Sequence, residues 1–409
     1  MTGPTGIAAG SARLALRSVF VVFTLPGVAI ASLLSRVPQI RDALELDPGE
    51  LGVVLLMTAV GSLLSLPASG VVVHRLGARR TVAIMSVVSM MGLGLVAIGS
   101  EVSPAVVGAG LFVFGFGAGQ WDVAMNVEGV AVEQLLERSI MSRFHAAFSL
   151  GTVVGALIGA AMNALDVPPL PHLLAVSGIV LLVVQFGVRG FIPAADDEVG
   201  DHATVAARSP LEAWTEPRTV MIGVFVLCTT FAEGTGNDWI GVATIDGYGA
   251  SDAMGSVAYV MFVTSMTLGR WFGPALLDRR GRVTVLRAAS LCTLVGVLIV
   301  VFGPSLATAL IGVVIWGAGT ALGFPTGMSA AADDPLHAAG RVSAVATIGY
   351  IAFLAGPSLI GLIGDHTGVL RALTVTAALA AVAAAVAGST RPLPRSDDPV
   401  STTMTTTRD

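Results

Sequence analysis

Glu233 stands inside a long apolar run, with Thr230 three residues before it and Asn237 four residues after it. That spacing puts all three on one face of a helix. A charged side chain at the centre of a bilayer costs about 3 kcal/mol on insertion scales, so it calls for a partner, a water-filled cavity or a function. The chemistry open to Glu233 is to take up and release a proton, or to contact a substrate. It is the first choice for that role, with Asn237 beside it. The alternative is a structural carboxylate hydrogen-bonded to a neighbouring helix. Asp238 follows about 140° round the helix from Glu233 and faces elsewhere.

Two neighbouring runs carry a second set. Gly115, Gly119, Asp122 and Asn126 share one face, with Trp121 beside them, and Ser142, His145, Ser149 and Thr152 form a stripe on the next run. The two runs are antiparallel, so Asn126 and His145 reach one depth, and Asp122 is expected to pair with His145 or Arg143. Such a pair can carry protons or close an inner gate; the alternative is a structural network tying the two helices together. Arg36 ends the first run at a depth comparable to Asp238, which makes the two a candidate outer gate. A lone arginine there can also snorkel to the headgroups. Arg270 lies inside another apolar run, where it either meets an acid or an anionic substrate, or snorkels. Trp271, Trp316, Phe324 and Tyr350 are available to line a pocket, although core packing is the commoner fate of such residues.

Other chemistries find little support. Asp122, His145 and Ser149 supply the residue types of a hydrolytic triad, but no nucleophile elbow accompanies them. Cys228 and Cys292 fall in apolar runs with no metal-ligand spacing, and read as free packing thiols. No cofactor motif is present, and no nucleotide-binding loop, so any work must draw on a gradient or a partner.

The elements that position these residues follow from composition. Of 409 residues, 54% are hydrophobic and only 12% charged, with a mean hydropathy of +0.83. Soluble domains carry about a quarter charged residues. The apolar runs predict spans at 17–38, 51–74, 81–100, 104–127, 143–165, 170–190, 218–245, 254–277, 283–302, 304–330, 341–364 and 369–389. Each is near the ~20 residues that cross ~30 Å of hydrocarbon. Asp47-Pro48-Gly49-Glu50 and Ser103-Pro104 carry helix-start signals. The first run, after polar residues 1–16, lacks a cleavage site and reads as an uncleaved helix.

All 22 basic residues are arginine. With the N-terminus inside, Arg36, Arg41 and Arg371 alone fall outside, Arg270 falls within a span, and the remainder face the cytoplasm. So strong a bias fits twelve spans with both termini cytoplasmic. Residues 1–190 then form one six-helix half, 191–217 a cytoplasmic linker, 218–389 the second half, and 390–409 a disordered polar tail.

The halves echo each other. One helix ends in Gly70-Val-Val-Val-His74-Arg75-Leu-Gly77-Ala78-Arg79-Arg80, and its counterpart in Pro274-Ala-Leu-Leu-Asp278-Arg279-Arg280-Gly281-Arg282. The first resembles the major facilitator superfamily signature G-x-x-x-D-R-x-G-R-R. Gly70, Arg75, Gly77, Arg79 and Arg80 match it, His74 replaces the acid, and Ala78 is inserted. The second keeps Asp278, Arg279, Gly281 and Arg282, with Pro274 for the first glycine. Arg36-Val-Pro-Gln-Ile-Arg41, Asp122-Val-Ala-Met-Asn126 and His145-Ala-Ala-Phe-Ser149-Leu-Gly151 are similar to the YbjJ-like bacterial inner-membrane branch.

The resemblance implies an all-α membrane protein of two pseudo-symmetric halves with a cavity lined by helices 1, 4, 7 and 10. It implies a latch in which Asp278 meets the start of the fifth span, near Arg143, while His74 weakens the equivalent latch or makes it pH-dependent. The alternative is that the signature residues only anchor topology. Gly151-x-x-x-Gly155-Ala156-x-x-Gly159-Ala160 resembles a degraded antiporter motif, which argues mostly for close helix packing. The implied function is proton-coupled secondary transport of a small organic solute across the inner membrane by alternating access, export being favoured over import. Its partners are then the solute, protons and lipid, with no nucleic acid, in a monomer. The competing readings are a non-transporting sensor on the same fold and an intramembrane enzyme.

Overall fold

The computed structural model describes residues 6–46, 48–192 and 210–393. The Asp47 helix-start signal, the acidic part of the linker and the tail beyond residue 393 lie outside these. Among the described residues every regular element is helical. In chain order the α-helices are α1 (Gly6–Leu34), α2 (Val37–Ala43), α3 (Pro48–Gly99), α4 (Pro104–Leu135), α5 (Met141–Ala164), α6 (Pro169–Gly187), α7 (Pro217–Tyr248), α8 (Asp252–Arg280), α9 (Arg282–Phe302), α10 (Leu306–Thr320), α11 (Gly323–Ala331), α12 (Ala338–Thr367), α13 (Val369–Ala372) and α14 (Thr374–Val386). Nine helical stretches among the described residues are long and apolar enough to cross a membrane. Leu157, Leu182, Phe186 and Phe302 lie exposed on the outside of the bundle, as lipid-facing residues do.

Local chemistry sets the boundaries. Ser103 caps α4 by accepting from the Val106 N–H, with Pro104 at the first helical position. Ser305 and Thr308 form a capping box at the start of α10. The 52 residues of α3 run as one trace broken only at Gly77, whose φ of 75° and ψ of 159° are non-helical. Gly281 does the same between α8 and α9 with φ 79°. Only glycine enters that region without strain, which explains a glycine in both copies of the repeated turn.

Three boundaries differ from the sequence reading. The first helix is already formed at Gly6, the first described residue, rather than beginning at residue 17, because the Ala- and Leu-rich segment favours helix and holds no proline from there to Pro26. It stops at Leu34, and α2 follows as a separate short helix with a proline near its start. The apolar run 304–330 divides at Ala321–Leu322. Pro325 offers no N–H, and its ring clashes with the carbonyl four residues earlier, that of Ala321.

Helices before residue 193 pack mainly on one another, as do those after residue 209; the groups meet chiefly along α3–α12 and α5–α8. Within the first group α5 lies hard against α1. A Cβ at Gly151 would strike the Thr24 carbonyl, and one at Gly155 the Val28 carbonyl. The glycine spacing of α5 is therefore a packing device, as read from the sequence. Between the groups, a Cβ at Gly70 of α3 would lie 2.9 Å from Ser343 Cβ and 3.0 Å from the Ala339 carbonyl of α12. Ser69 Oγ sits 3.1 Å from Ser343 Oγ across the same seam, and Ser343 donates to the Leu66 carbonyl at 2.7 Å.

Candidate functional site: a buried polar network between the two helix groups

Arg270 projects from α8 into the junction and is 5% exposed. Its Nη2 donates to Glu233 Oε1 of α7 at 2.6 Å, and its Nη1 donates to Ser149 Oγ of α5 at 3.0 Å. Ser149 in turn donates to the His145 carbonyl at 3.1 Å. One guanidinium thus joins α7 and α8 to α5 and neutralises the Glu233 carboxylate. Such a pair escapes the cost of two isolated buried charges.

A second set adjoins it. Asn126 Nδ2 donates to Asp122 Oδ1 at 3.2 Å and to the Asp122 carbonyl at 2.8 Å. Its other amide atom, Oδ1, lies 3.2 Å from His145 Nε2. Tyr350 of α12 faces the Asp122 carboxyl from the opposite helix group, and Asp122 Oδ2 has no hydrogen-bond partner among the described residues. Phe23 and Phe324 meet the His145 ring edge-on, at 5.2 and 5.3 Å. Asp122 therefore has only neutral neighbours, Asn126 and Tyr350, whereas Glu233 has a cation.

Asp122 and Tyr350 face a cavity of about 310 Å³. It is walled by Pro26 and Ile30 of α1, Thr58, Ser62 and Ser89 of α3, Phe114 and Trp121 of α4, and Phe148 of α5. Asp122 is the one charged side chain among the described lining residues. The cavity differs from the expected one. It draws on α1 and α4, but also on α3, α5 and α12, and no described residue of α7 or α10 lines it. Glu233 is absent from its wall because the carboxylate turns to Arg270.

The arginine-rich end of the junction is tied shut. Asp278 Oδ1 accepts from the Ser139 N–H at 2.9 Å, two residues before α5 begins. Glu133 Oε2 accepts from the next two amides, Ile140 and Met141, at 2.7 and 2.8 Å. Two carboxylates, one from each helix group, thus satisfy the free amides at the α5 start. Arg143 donates to the Trp271 carbonyl at 3.3 Å, its guanidinium 5.9 Å from that indole. Gln134 donates to the Ala332 carbonyl at 3.0 Å. Within the second helix group, Arg218 and Arg282 both grip Asp333, at 2.6 and 2.9 Å, and Arg341 grips Glu216 at 2.6 Å. Arg341 first of all, by hydrogen bonding, holds the Glu216 carboxyl below its ordinary range against an opposing effect of burial. Burial pushes Asp334 up, but His337, the Leu336 amide and Arg341 outweigh it, so that carboxyl is also held low.

Several sequence expectations change in detail. Asp122 reaches neither His145 nor Arg143 directly; Asn126 stands between Asp122 and His145, and Arg143 is taken by Trp271. Arg36 does not pair with Asp238. It is 1% exposed and donates to His172 Nδ1 at 2.8 Å and Asn163 Oδ1 at 3.1 Å, partners within its own helix group, while Asp238 is exposed. Asn237 is half-buried, one turn beyond Glu233 on α7. His74, Arg75, Arg79 and Arg279 are exposed at the helix ends. Among the described residues the Asp278 contact has no counterpart at His74. Asp122, His145 and Ser149 form no relay, since the serine hydroxyl bonds the histidine backbone rather than its ring.

The sequence reading passed over Glu128, Glu133 and Asp333. Glu128 is 5% exposed and its Oε1 accepts from the Ile192 N–H at 2.7 Å. Glu133 had a visible signal, an acid just ahead of a helix start. Tyr350, a pocket residue in the sequence reading, lines the cavity beside the key carboxylate.

These features match known proteins. The family model described as the Major Facilitator Superfamily matches residues 18–351. An uncharacterised MFS-type transporter of Yersinia pestis is 31% identical over 349 residues, covering 85% of this chain and 88% of that protein. An uncharacterised transporter of Sinorhizobium fredii, y4wD, is 30% identical over 379 residues, covering 91% and 97%. Among solved structures, the transporter FucP in its outward conformation superposes with a TM-score of 0.80 at 16% identity, covering 94% of this chain and 100% of that one. A variant of the E. coli fucose:proton symporter FucP gives 0.77 over the same shares. The chain is a multi-pass membrane protein and belongs to the major facilitator superfamily of transporters.

Proposed function

We propose that the protein is a proton-coupled secondary transporter of a small organic solute, working across the cytoplasmic membrane by alternating access, with Asp122 as the coupling carboxylate. The observation that carries this is the contrast between Asp122 and Glu233, the acids nearest the middle of their spans. Glu233 is neutralised by Arg270 at 2.6 Å, whereas Asp122 has neutral partners and faces the cavity. A carboxylate without a counter-ion in an apolar wall is favoured neutral, and the simplest neutralising ligand is a proton. The role first given to Glu233 therefore passes to Asp122, and Glu233 with Arg270 becomes a bridge between the moving halves.

Twelve crossings follow if α3 is divided at Gly77, α10 and α11 share one crossing, and α13 and α14 share another. Residues 1–190 and 218–389 are then the halves. The arginine-rich end is assigned to the cytoplasm, so the ties of Asp278 to Ser139, Gln134 to Ala332 and Arg143 to Trp271 describe a state closed on that side. Both halves of the site come from one chain, which supports a monomer. A fucose:proton symporter shares this fold, which is consistent with proton coupling here.

The test is flux in proteoliposomes that carry an internal pH dye, screened against a mixed solute library. Solute-dependent proton movement is expected in the wild type and is lost in Asp122→Asn. Solute movement without protons would remove the coupling. No flux for any solute would overturn transport and favour a sensor on this fold.

A further inference from the structure

We propose that the Asp122 cavity binds a small organic monocation with an apolar, aromatic-compatible body, and that this cation and a proton exchange on the one carboxylate. The inference rests on the transport reading above and adds the substrate class and the stoichiometry. Two features of the wall carry it. The first is charge: Asp122 is the single charged side chain among the described lining residues. An anionic ligand would oppose the carboxylate, and of all ligands only a cation can take the place of the proton that otherwise compensates it. The second is aromatic surface. Phe114, Trp121 and Phe148 all line the cavity, and ring faces attract organic cations most strongly where water is excluded.

The groups facing Asp122 from each packed element support exchange with a proton. From α4 comes Asn126, from α12 Tyr350, and from α5 His145 by way of Asn126. The described cavity residues of α1 and α3 contribute no charge. The nearest guanidinium in the network, Arg270, is held by Glu233 and Ser149. Either a proton or a monovalent cation thus leaves the site neutral, and the two exclude each other. One cation leaving for one proton entering moves no net charge. A proton gradient directed inward would drive the cation out.

The first test is binding by the purified wild-type protein in detergent at neutral pH. The probes are benzyltrimethylammonium and phenethylammonium, the uncharged carbon isostere neopentylbenzene, and benzoate. At least one ammonium probe is expected to bind tenfold or more tightly than the isostere and benzoate. Asp122→Asn should weaken the ammonium by tenfold or more, while Asp122→Glu keeps most of it. The wild-type comparison stands whether or not the asparagine variant folds. The inference is overturned if neither ammonium binds, if the isostere or benzoate binds within tenfold of the better one, or if a folded Asp122→Asn loses less than tenfold. The second test is cation flux in proteoliposomes, driven separately by a pH gradient and by a potassium-diffusion potential. Flux should follow the pH gradient and be indifferent to the potential; potential-driven flux would remove one-for-one exchange. Proton-coupled flux of an uncharged solute would leave the transport reading standing and sink this one. Ammonium binding without any flux would do the reverse.

Discussion

Arg270 and Glu233 show what a buried ion pair does at the level of single side chains. Their side chains are 7% and 12% exposed, and they meet at 2.6 Å. Removing either one strands the other in a low-dielectric junction, at a cost of about 3–5 kcal/mol. Removing both together strands neither. Arg270→Met and Glu233→Met are therefore each expected to destabilise the protein by that amount, and the double variant to recover most of it. A double-mutant cycle on unfolding in mixed micelles measures this. Additive losses would mean that the pair is not coupled. The sequence made both Glu233 and Asp122 visible as costly residues, because an acid in an apolar run stands out. It could not say which had a cation opposite. Arg270 is 37 residues from Glu233 and on a different helix, and Arg36 meets His172 across 136 residues. Spacing fixes which residues share a face of one helix, but not which face another helix brings to it.

Helix ends carry the next level of organisation. Glu216 precedes α7 and binds Arg341 near the start of α12, so one carboxylate ties the two helix starts. Its folded-state proton affinity is depressed below the unfolded value of about 4.3. A depressed carboxylate contributes stability above the unfolded value, and that contribution disappears as pH falls through the folded value. Glu216→Gln is thus expected to lower the thermal midpoint at pH 7, with the gap to wild type closing as pH drops below about 4. A gap that stays constant with pH would assign the loss to packing rather than charge. Element boundaries were legible where the backbone has no alternative. Gly77 and Gly281 mark positive-φ turns, and the glycines of α5 mark its contact with α1. The division at Ala321–Leu322 was missed because hydropathy runs unbroken from Leu306 to Ala331. Composition registers transfer to lipid, whereas the break arises from the N–H that Pro325 lacks.

At the scale of the whole molecule, the two copies of the repeated turn do different work. Around Asp278 the groups are held by a carboxylate on the free amides of the α5 start. Around His74 no such contact exists among the described residues, and the groups are instead held by the seam of Gly70 and Ser69 against Ala339 and Ser343. A charge latch can release when a proton or a competing charge arrives, but a close-packed seam opens only if the halves move apart. Rocking of the halves must therefore separate Ser69 from Ser343, now 3.1 Å apart between hydroxyl oxygens. That distance lets a cysteine pair close a disulfide with little backbone movement. With Cys228 and Cys292 replaced, Ser69→Cys/Ser343→Cys should cross-link on oxidation, stop solute flux in proteoliposomes, and regain it on reduction. The same chain oxidised in unfolding conditions and refolded controls for damage unrelated to the seam. If the oxidised pair transports as fast as the reduced one, the seam does not open during the cycle. Alternating access would then have to run through the α5–α8 contact alone, with Asp278 as its release.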